Sequence, residues 1–298
     1  MPTDAVLREL LVRHLETWLP GALHRARRVT VALAYDDGDA DSAEAALRVV
    51  AEYADRLRGR QLTVLVLAAG TEELPARLGA VEAELPAEAT VHLVPGGTAR
   101  LPVALKAAGA TGGPLLSYVD GPADPAVLTA AAAGRPAEVL LATAPGAPAR
   151  GALADAGFPL ATEVELVPAD GGPARLLAFA TGSDKSLEAF KEALWAVDEF
   201  AGVRYRDPAD PAGRLLDIAL APEPGPLRRE LLAELARSGP RTVTELRRYA
   251  LTATVYRSAD AVRALTGLLG AGEVTRDPEH GRLGGDVVVT GPDARSTP

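Results

Sequence analysis

Short apolar runs that alternate with longer helical patterns constrain the fold of this 298-residue chain most strongly. Such runs are typical of strands that are buried on both faces of a parallel sheet. Alternation of this kind predicts a doubly wound α/β domain. The five runs are Val29–Ala34, Leu62–Leu67, Thr90–Val94, Leu115–Val119 and Ala137–Ala142.

Helices are expected between these runs, with Asp41, Thr71 and Asp124 at N-cap positions. The expected helices are Ser42–Leu57, Glu72–Leu85, Ala99–Ala108 and Pro125–Ala133. After the fifth run, the stretch FPLATEVELVPADGGPARLLAFATG places two β-runs around a turn at Asp170–Pro173, which indicates an antiparallel hairpin.

Composition excludes several classes of protein. The chain has no cysteine, so it has no disulfide, no thiolate zinc site and no cysteine nucleophile. No apolar run reaches the ~20 residues that span a bilayer, and the acid-containing N-terminal segment is typical of an amphipathic helix. We expect a cytoplasmic protein without a metal site.

The turn after the first run is unusual for a cofactor-binding fold. It contains Asp36, Asp37, Gly38 and Asp39, and the chain has no Gly-x-Gly-x-x-Gly anywhere. Asp36 and Gly38 are the candidate cofactor-binding residues. Two other interpretations are a solvated loop with Asp41 as helix cap, and a divalent-cation site formed by the three aspartates.

The next strand ends differ from each other. The second run ends in Leu67-Ala68-Ala69-Gly70, which offers no side-chain acceptor for ribose hydroxyls. The fourth ends in Asp120-Gly121-Pro122. We expect no catalytic residue if the domain is a scaffold; if it is an active enzyme, Asp120 is the candidate, able to orient a substrate amine. A strand-end turn also explains these residue types.

The C-terminal third has a different organisation and charge. Residues 1–223 carry a net charge of −11, whereas residues 224–290 carry +2. Three short helical patterns, the third with Ser258 as N-cap, precede two β-runs that flank a polar loop. This order predicts a winged helix-turn-helix domain over 222–291. It would follow an α/β domain over 1–221 with a connecting helix at 184–198, and precede a disordered tail at 292–298.

In a winged helix the third helix enters the major groove, and the wing contacts the DNA backbone or minor groove. Arginine suits both phosphates and guanine edges. The candidate DNA-binding residues are Arg247, Arg248, Tyr256, Arg257, Arg263, His280 and Arg282.

Two family resemblances follow from these patterns. A parallel five-strand core closed by an antiparallel hairpin resembles the S-adenosylmethionine-dependent methyltransferase fold. The pattern K-x-A-x-W-x-V-D before a winged helix resembles the three-Cys-motif partner family, most specifically over residues 174–275. That resemblance implies a methyltransferase-like N-terminal domain and a cysteine-rich protein partner. The matching residues are Lys191, Ala193, Trp195, Val197 and Asp198.

Three functions are compatible with the sequence. The one that the sequence favours is a non-catalytic DNA-associated or regulatory protein without a cofactor, in which a degenerate methyltransferase-like domain serves as a dimerisation or partner scaffold and the winged helix contacts duplex DNA. The second is an S-adenosylmethionine-dependent methyltransferase of nucleic acid or protein. The third is a protein-interaction adaptor.

Overall fold

The computed structural model describes residues 2–36, 40–69, 74–146 and 148–292. It has an α/β architecture with one large mixed sheet. The five apolar runs form parallel strands, each one or two residues longer than the sequence predicts. These strands are β1 (Arg28–Tyr35), β2 (Gln61–Ala68), β3 (Ala89–Pro95), β4 (Leu115–Asp120) and β5 (Ala137–Thr143).

The predicted hairpin is confirmed as β6 (Leu160–Pro168) and β7 (Arg175–Thr181). Two short strands that the sequence analysis missed, β8 (Val203–Arg206) and β9 (Leu215–Leu216), extend the sheet. The strand order is β3-β2-β1-β4-β5-β7-β6-β8-β9. The pairs among β1 to β5 are parallel, and every pair that involves β6, β7, β8 or β9 is antiparallel.

Helices cover both faces of the sheet. On one face, a first apolar cluster contains side chains of α1 (Pro2–Arg25), α2 (Ala40–Glu52), α3 (Leu74–Glu82) and α7 (Asp184–Trp195). On the other face, a second cluster contains α4 (Leu101–Ala107), α5 (Pro125–Ala131) and α6 (Arg150–Asp155). Within the described residues, no helix is long and apolar enough to cross a bilayer.

Helix ends show where local sequence signals were sufficient. Asp124 caps α5 as predicted, because its side chain accepts from the backbone N–H groups of Ala126 and Val127. Asp41 is not a cap: it lies inside the first turn of α2 and pairs with Arg8 and Arg77. The helix predicted to end near Leu57 ends at Glu52 and is followed by a 3-10 turn. Thr71 lies outside the described residues.

The C-terminal unit consists of α8 (Gly225–Ser238), α9 (Val243–Ala253), α10 (Ser258–Gly270) and a three-stranded antiparallel sheet. Its strands are β10 (Arg241–Thr242), β11 (Thr275–Asp277) and β12 (Val288–Thr290), in the order β10-β12-β11. The helices match the three predicted patterns, although Arg257 and not Ser258 is the N-cap of α10. The apolar core is continuous between this unit and the α1 face of the large sheet.

Candidate functional site

The connections of the large sheet change face at the carboxyl ends of β1 and β4. The chain leaves β1 toward α2 on one face, but reaches β4 from α4 on the opposite face. Ligands of open α/β sheets bind at such switch points, outside the carboxyl ends of the strands. Asp36 directly follows β1, and Asp120 is the last residue of β4.

Asp36 lies between two backbone segments that approach its carboxylate closely. Oδ1 of Asp36 accepts hydrogen bonds from the backbone N–H and the hydroxyl of Thr98, both at 2.8 Å. A Cβ atom at Gly97 would lie 2.3 Å from Oδ1, and one at Gly121 would lie 2.7 Å from Oδ2. The two glycines therefore leave space for the carboxylate. Among the described residues, no hydrogen-bond donor to Oδ2 is found.

Asp120 has a different environment on the same edge. It forms an ion pair with Arg175 at the start of β7, and both side chains are about a quarter exposed. The other terminal nitrogen of Arg175 lies 3.9 Å from a carboxylate oxygen of Asp4. Asp120 is thus a charged group held in position by a cation, which is compatible with the predicted role and also with a purely structural one.

The remaining parts of the predicted cofactor site are the loop after β1 and the end of β2. Gly38, together with Asp37 and Asp39 of the alternative cation site, lies outside the described residues. Among the residues that are described, no group of three or more His, Asp or Glu side chains could hold a metal ion. Strand β2 ends at Ala68, and neither Ala68 nor Ala69 offers a side-chain acceptor for a ribose.

Two of the residues that were predicted to bind DNA are buried in the structure. Tyr256 is 1% exposed, and its ring stacks on Trp195 of α7 with ring centroids 5.6 Å apart. Arg257 is 7% exposed and bonds to Asp260, which is itself 4% exposed, and to Glu192. These positions precede α10 and pack against α7, so neither side chain can reach a duplex.

The other predicted DNA-binding residues are exposed to differing degrees. Arg263 is partly exposed but bonds to Asp260 and to the carbonyl of Pro222. Arg248 is exposed and pairs with Asp184 of α7. The remaining exposed residues have no ion pair within the described part of the chain. They are Arg247, His280 and Arg282.

Helix α7 holds the C-terminal unit through a buried lysine. Nζ of Lys191 donates to the carbonyl oxygens of Ala250, Leu251, Thr254 and Tyr256 at 2.5–3.3 Å. These carbonyls belong to the last turn of α9 and the segment after it, where helix carbonyls lack intrahelical partners. Burial lowers the pKa of Lys191 to about 7. The lysine therefore caps α9 from a different part of the chain.

A cavity of about 360 Å³ lies beside this junction, between the 207–216 segment, α8 and the end of α9. Burial, with the charges of Asp207 and Asp210, raises the pKa of Glu230 to about 7. Burial also raises the pKa of Asp207. Asp210 pairs with Arg214, and that hydrogen bond lowers its pKa. The cavity thus contains two carboxyl groups that burial disfavours in their charged forms.

Comparisons with known proteins give little further information. No protein-family model matches the chain, and no curated protein matches it. Among solved structures, the chain is similar to "A putative sam-dependent methyltransferase from Streptococcus mutans", with 11% identity and a TM-score of 0.30. The match covers 52% of this chain and 45% of that one, so the chain aligns with less than half of that protein.

Sequence reasoning missed most groups that shape these sites. Thr98 and Gly97 come from the β3–α4 connection, which carries no motif and becomes relevant only because β3 is two strands away from β1. Arg175 was assigned only to the hairpin. The K-x-A-x-W pattern did identify Lys191 and Trp195, but only the tertiary contacts show that both bond to the segment after α9.

Proposed function

We propose that the α/β part of this chain is a methyltransferase-type domain that binds a small cationic ligand at the carboxyl edge between β1 and β4, with S-adenosylmethionine as the candidate. The observation that carries the proposal is Asp36. Its carboxylate lies at the switch point, with Oδ1 held by Thr98 and close to Gly97, and with Oδ2 close to Gly121. A fixed carboxylate at this position suits a sulfonium or ammonium group.

The residues present fit this ligand at two of three places. Asp36 and Asp120 supply negative charge where the methyltransferase resemblance places an acid after the first strand and an Asp-Pro-type turn after the fourth. The end of β2 does not fit, since Ala68 and Ala69 cannot accept from ribose hydroxyls. When bound, S-adenosylmethionine would supply a transferable methyl group. The chain's own contribution is to position the ligand's cationic end at Asp36.

The sheet arrangement supports the same proposal. A parallel five-strand core is closed by the antiparallel β6–β7 pair, which is the arrangement that the resemblance implies. The C-terminal unit consists of three helices and a three-stranded antiparallel sheet, and the proposal includes it as a winged-helix module fixed to the α/β domain by α7. Membership of the three-Cys-motif partner family, with its cysteine-rich partner, belongs to the same proposal.

Calorimetric titration with S-adenosylmethionine tests this function. The wild type is expected to bind, and Asp36→Asn to bind at least tenfold more weakly. Asp155→Asn, an exposed position in α6, is the matched control and should bind like the wild type. Failure of the wild type to bind at millimolar ligand would overturn the proposal and favour the non-catalytic scaffold.

A second candidate function, contact with duplex DNA, has one favourable observation. The backbone N–H and hydroxyl of Thr244 both donate to the carbonyl of Gly285 at 3.0 Å, which holds the β11–β12 loop beside α9. Arg247 on α9 and Arg282 in that loop are exposed. Fluorescence anisotropy with a labelled duplex should show salt-sensitive binding that Arg247→Ala and Arg282→Ala weaken. Binding that neither substitution changes would contradict this function.

A further inference from the structure

An arginine-rich patch lies at the amino edge of the large sheet, opposite the carboxyl edge that contains Asp36. It is formed where β1 and β2 begin, because parallel pairing brings the segments before these strands together. The backbone N–H of Gln61 donates to the carbonyl of Arg27 at 2.7 Å, and Arg60 donates to the carbonyl of Ala26 at 2.9 Å. We call this the amino-edge patch, defined by Arg25, Arg27, Arg28, Arg58 and Arg60.

The charges of the amino-edge patch are not neutralised. Within the described part of the chain, no carboxylate forms an ion pair with any of its five arginines; thirteen other arginines do have ion pairs, and others such as Arg247 and Arg282 do not. Arg25 and Arg60 bond only to backbone carbonyls, which leaves their charge intact. Five uncompensated cations are notable in a chain with a net charge of −9.

The patch borders a cavity of about 700 Å³ that has both polar and apolar groups in its walls. Arg27, Arg28 and Arg60 line it together with hydrogen-bonding side chains, and Glu88 is the one carboxylate among its described lining residues. Arginine forks bind phosphate oxygens in a bidentate manner, and hydroxyl and amide groups hydrogen-bond to phosphate and sugar. The additional hydrogen-bonding groups are those of Gln61, Thr63, Thr90 and His92.

We infer that the amino-edge patch binds the phosphate backbone of a nucleic acid. An anionic membrane is disfavoured, because the cavity is concave and none of its lining residues is an exposed large hydrophobic that could insert into lipid. The site is separate from the carboxyl edge and from the C-terminal unit, so it does not depend on either function proposed above.

Anisotropy with labelled 20-nucleotide single-stranded DNA, single-stranded RNA and duplex DNA tests this inference on the full chain. We expect wild-type binding to weaken as salt rises, and Arg27→Ala/Arg28→Ala to bind at least fivefold more weakly with a salt slope smaller by about two. Arg237→Ala, which removes an exposed arginine from α8, should bind like the wild type. Circular dichroism establishes that each variant is folded.

Three results would overturn the inference. The first is no binding of the wild type to any of the three nucleic acids at 50 mM salt. The second is that the Arg27→Ala/Arg28→Ala variant binds with wild-type affinity while the Arg247→Ala/Arg282→Ala variant loses binding. This would assign nucleic-acid binding to the C-terminal unit alone. The third is equal affinity for polyglutamate or anionic vesicles, which would show a general polyanion surface.

Discussion

The ammonium nitrogen of Lys191 lies 2.6 Å from the carbonyl oxygen of Thr254, although 63 residues separate the two in the chain. Trp195, one helical turn further along α7, donates from Nε1 to the carbonyl of Val255 at 3.1 Å. The α/β part and the C-terminal unit are therefore joined by buried hydrogen bonds to backbone carbonyls. Such carbonyls are costly to leave without donors.

Substitution of Lys191 by methionine tests this junction. Lys191→Met keeps the approximate volume of the side chain but removes the donor to the carbonyls of Leu251, Thr254 and Tyr256, while that of Ala250 keeps the hydroxyl of Thr254. We expect a loss of about 2–4 kcal/mol in the free energy of unfolding, measured by urea denaturation. Lys185→Met, an exposed position in the same helix, should change it by less than ~0.5 kcal/mol. Equal stability of the two variants would contradict the capping role of Lys191.

Arg257 should behave as a structural residue and not as a DNA-binding one. Arg257→Ala leaves Asp260 buried with less compensation, and breaking a buried ion pair from one side costs about 3–5 kcal/mol. Thermal and urea denaturation should show a marked loss of stability. Arg247→Ala, at an exposed position in α9, should unfold like the wild type. A fully stable Arg257→Ala variant would contradict the buried network.

The pH dependence of stability should report the cavity beside α8. The pKa of Glu230 is raised to about 7 in the folded protein, so the folded state holds a proton that the unfolded state loses above about pH 4.5. Its contribution to stability is complete below that pH and is lost as the pH rises through 7. Glu230→Gln should match the wild type at pH 4 and exceed it at pH 8 by about 1 kcal/mol.

Glu273→Gln is the control for this pH profile, because Glu273 is exposed in the same unit. The urea midpoint of this variant should change with pH in the same way as that of the wild type from pH 4 to pH 8. A Glu230→Gln profile that also runs parallel would show that the carboxyl group of Glu230 is ionised in the folded protein at neutral pH.

The close approach of Gly97 to Asp36 predicts that substitutions at these two positions have non-additive effects on the free energy of unfolding. Gly97→Ala places a Cβ atom 2.3 Å from Oδ1 of Asp36, so overpacking should destabilise the protein by about 1–3 kcal/mol. The same change in an Asp36→Ala background should cost much less, because the clashing atom is gone. A double-mutant cycle on urea midpoints measures this coupling. Additive effects would mean that Asp36 does not lie between the two loops.

The sequence was sufficient for the regular elements and insufficient for the sites. Strands β1 to β5 and helices α8 to α10 follow from periodicity, because burial on a sheet or a helix face imposes that period locally. Strands β8 and β9 were missed, since four and two residues are too few to show alternation. Tyr256 and Arg257 were assigned to a DNA surface, because only packing against α7 reveals that they are buried.

The net charge of a sequence segment likewise does not show which of its charged side chains are paired in the folded protein. The positive net charge of residues 224–290 predicted a nucleic-acid surface on the C-terminal unit, but five arginines of that unit form ion pairs with carboxylates. The uncompensated arginines of the amino-edge patch lie instead in the acidic part of the chain. Their two segments, 25–28 and 58–60, are far apart in the sequence, so their proximity depends on the parallel pairing of β1 and β2.

Amide hydrogen exchange with and without saturating S-adenosylmethionine tests the proposed ligand site most directly. We expect slower exchange in three short segments that meet at the switch point, around Tyr35–Asp36, Gly97–Thr98 and Val119–Gly121, and no change in the Asp36→Asn variant under the same conditions. Unchanged exchange in all three segments of the wild type, or protection confined to the cavity beside Glu230, would contradict a cationic-ligand site at the carboxyl edge.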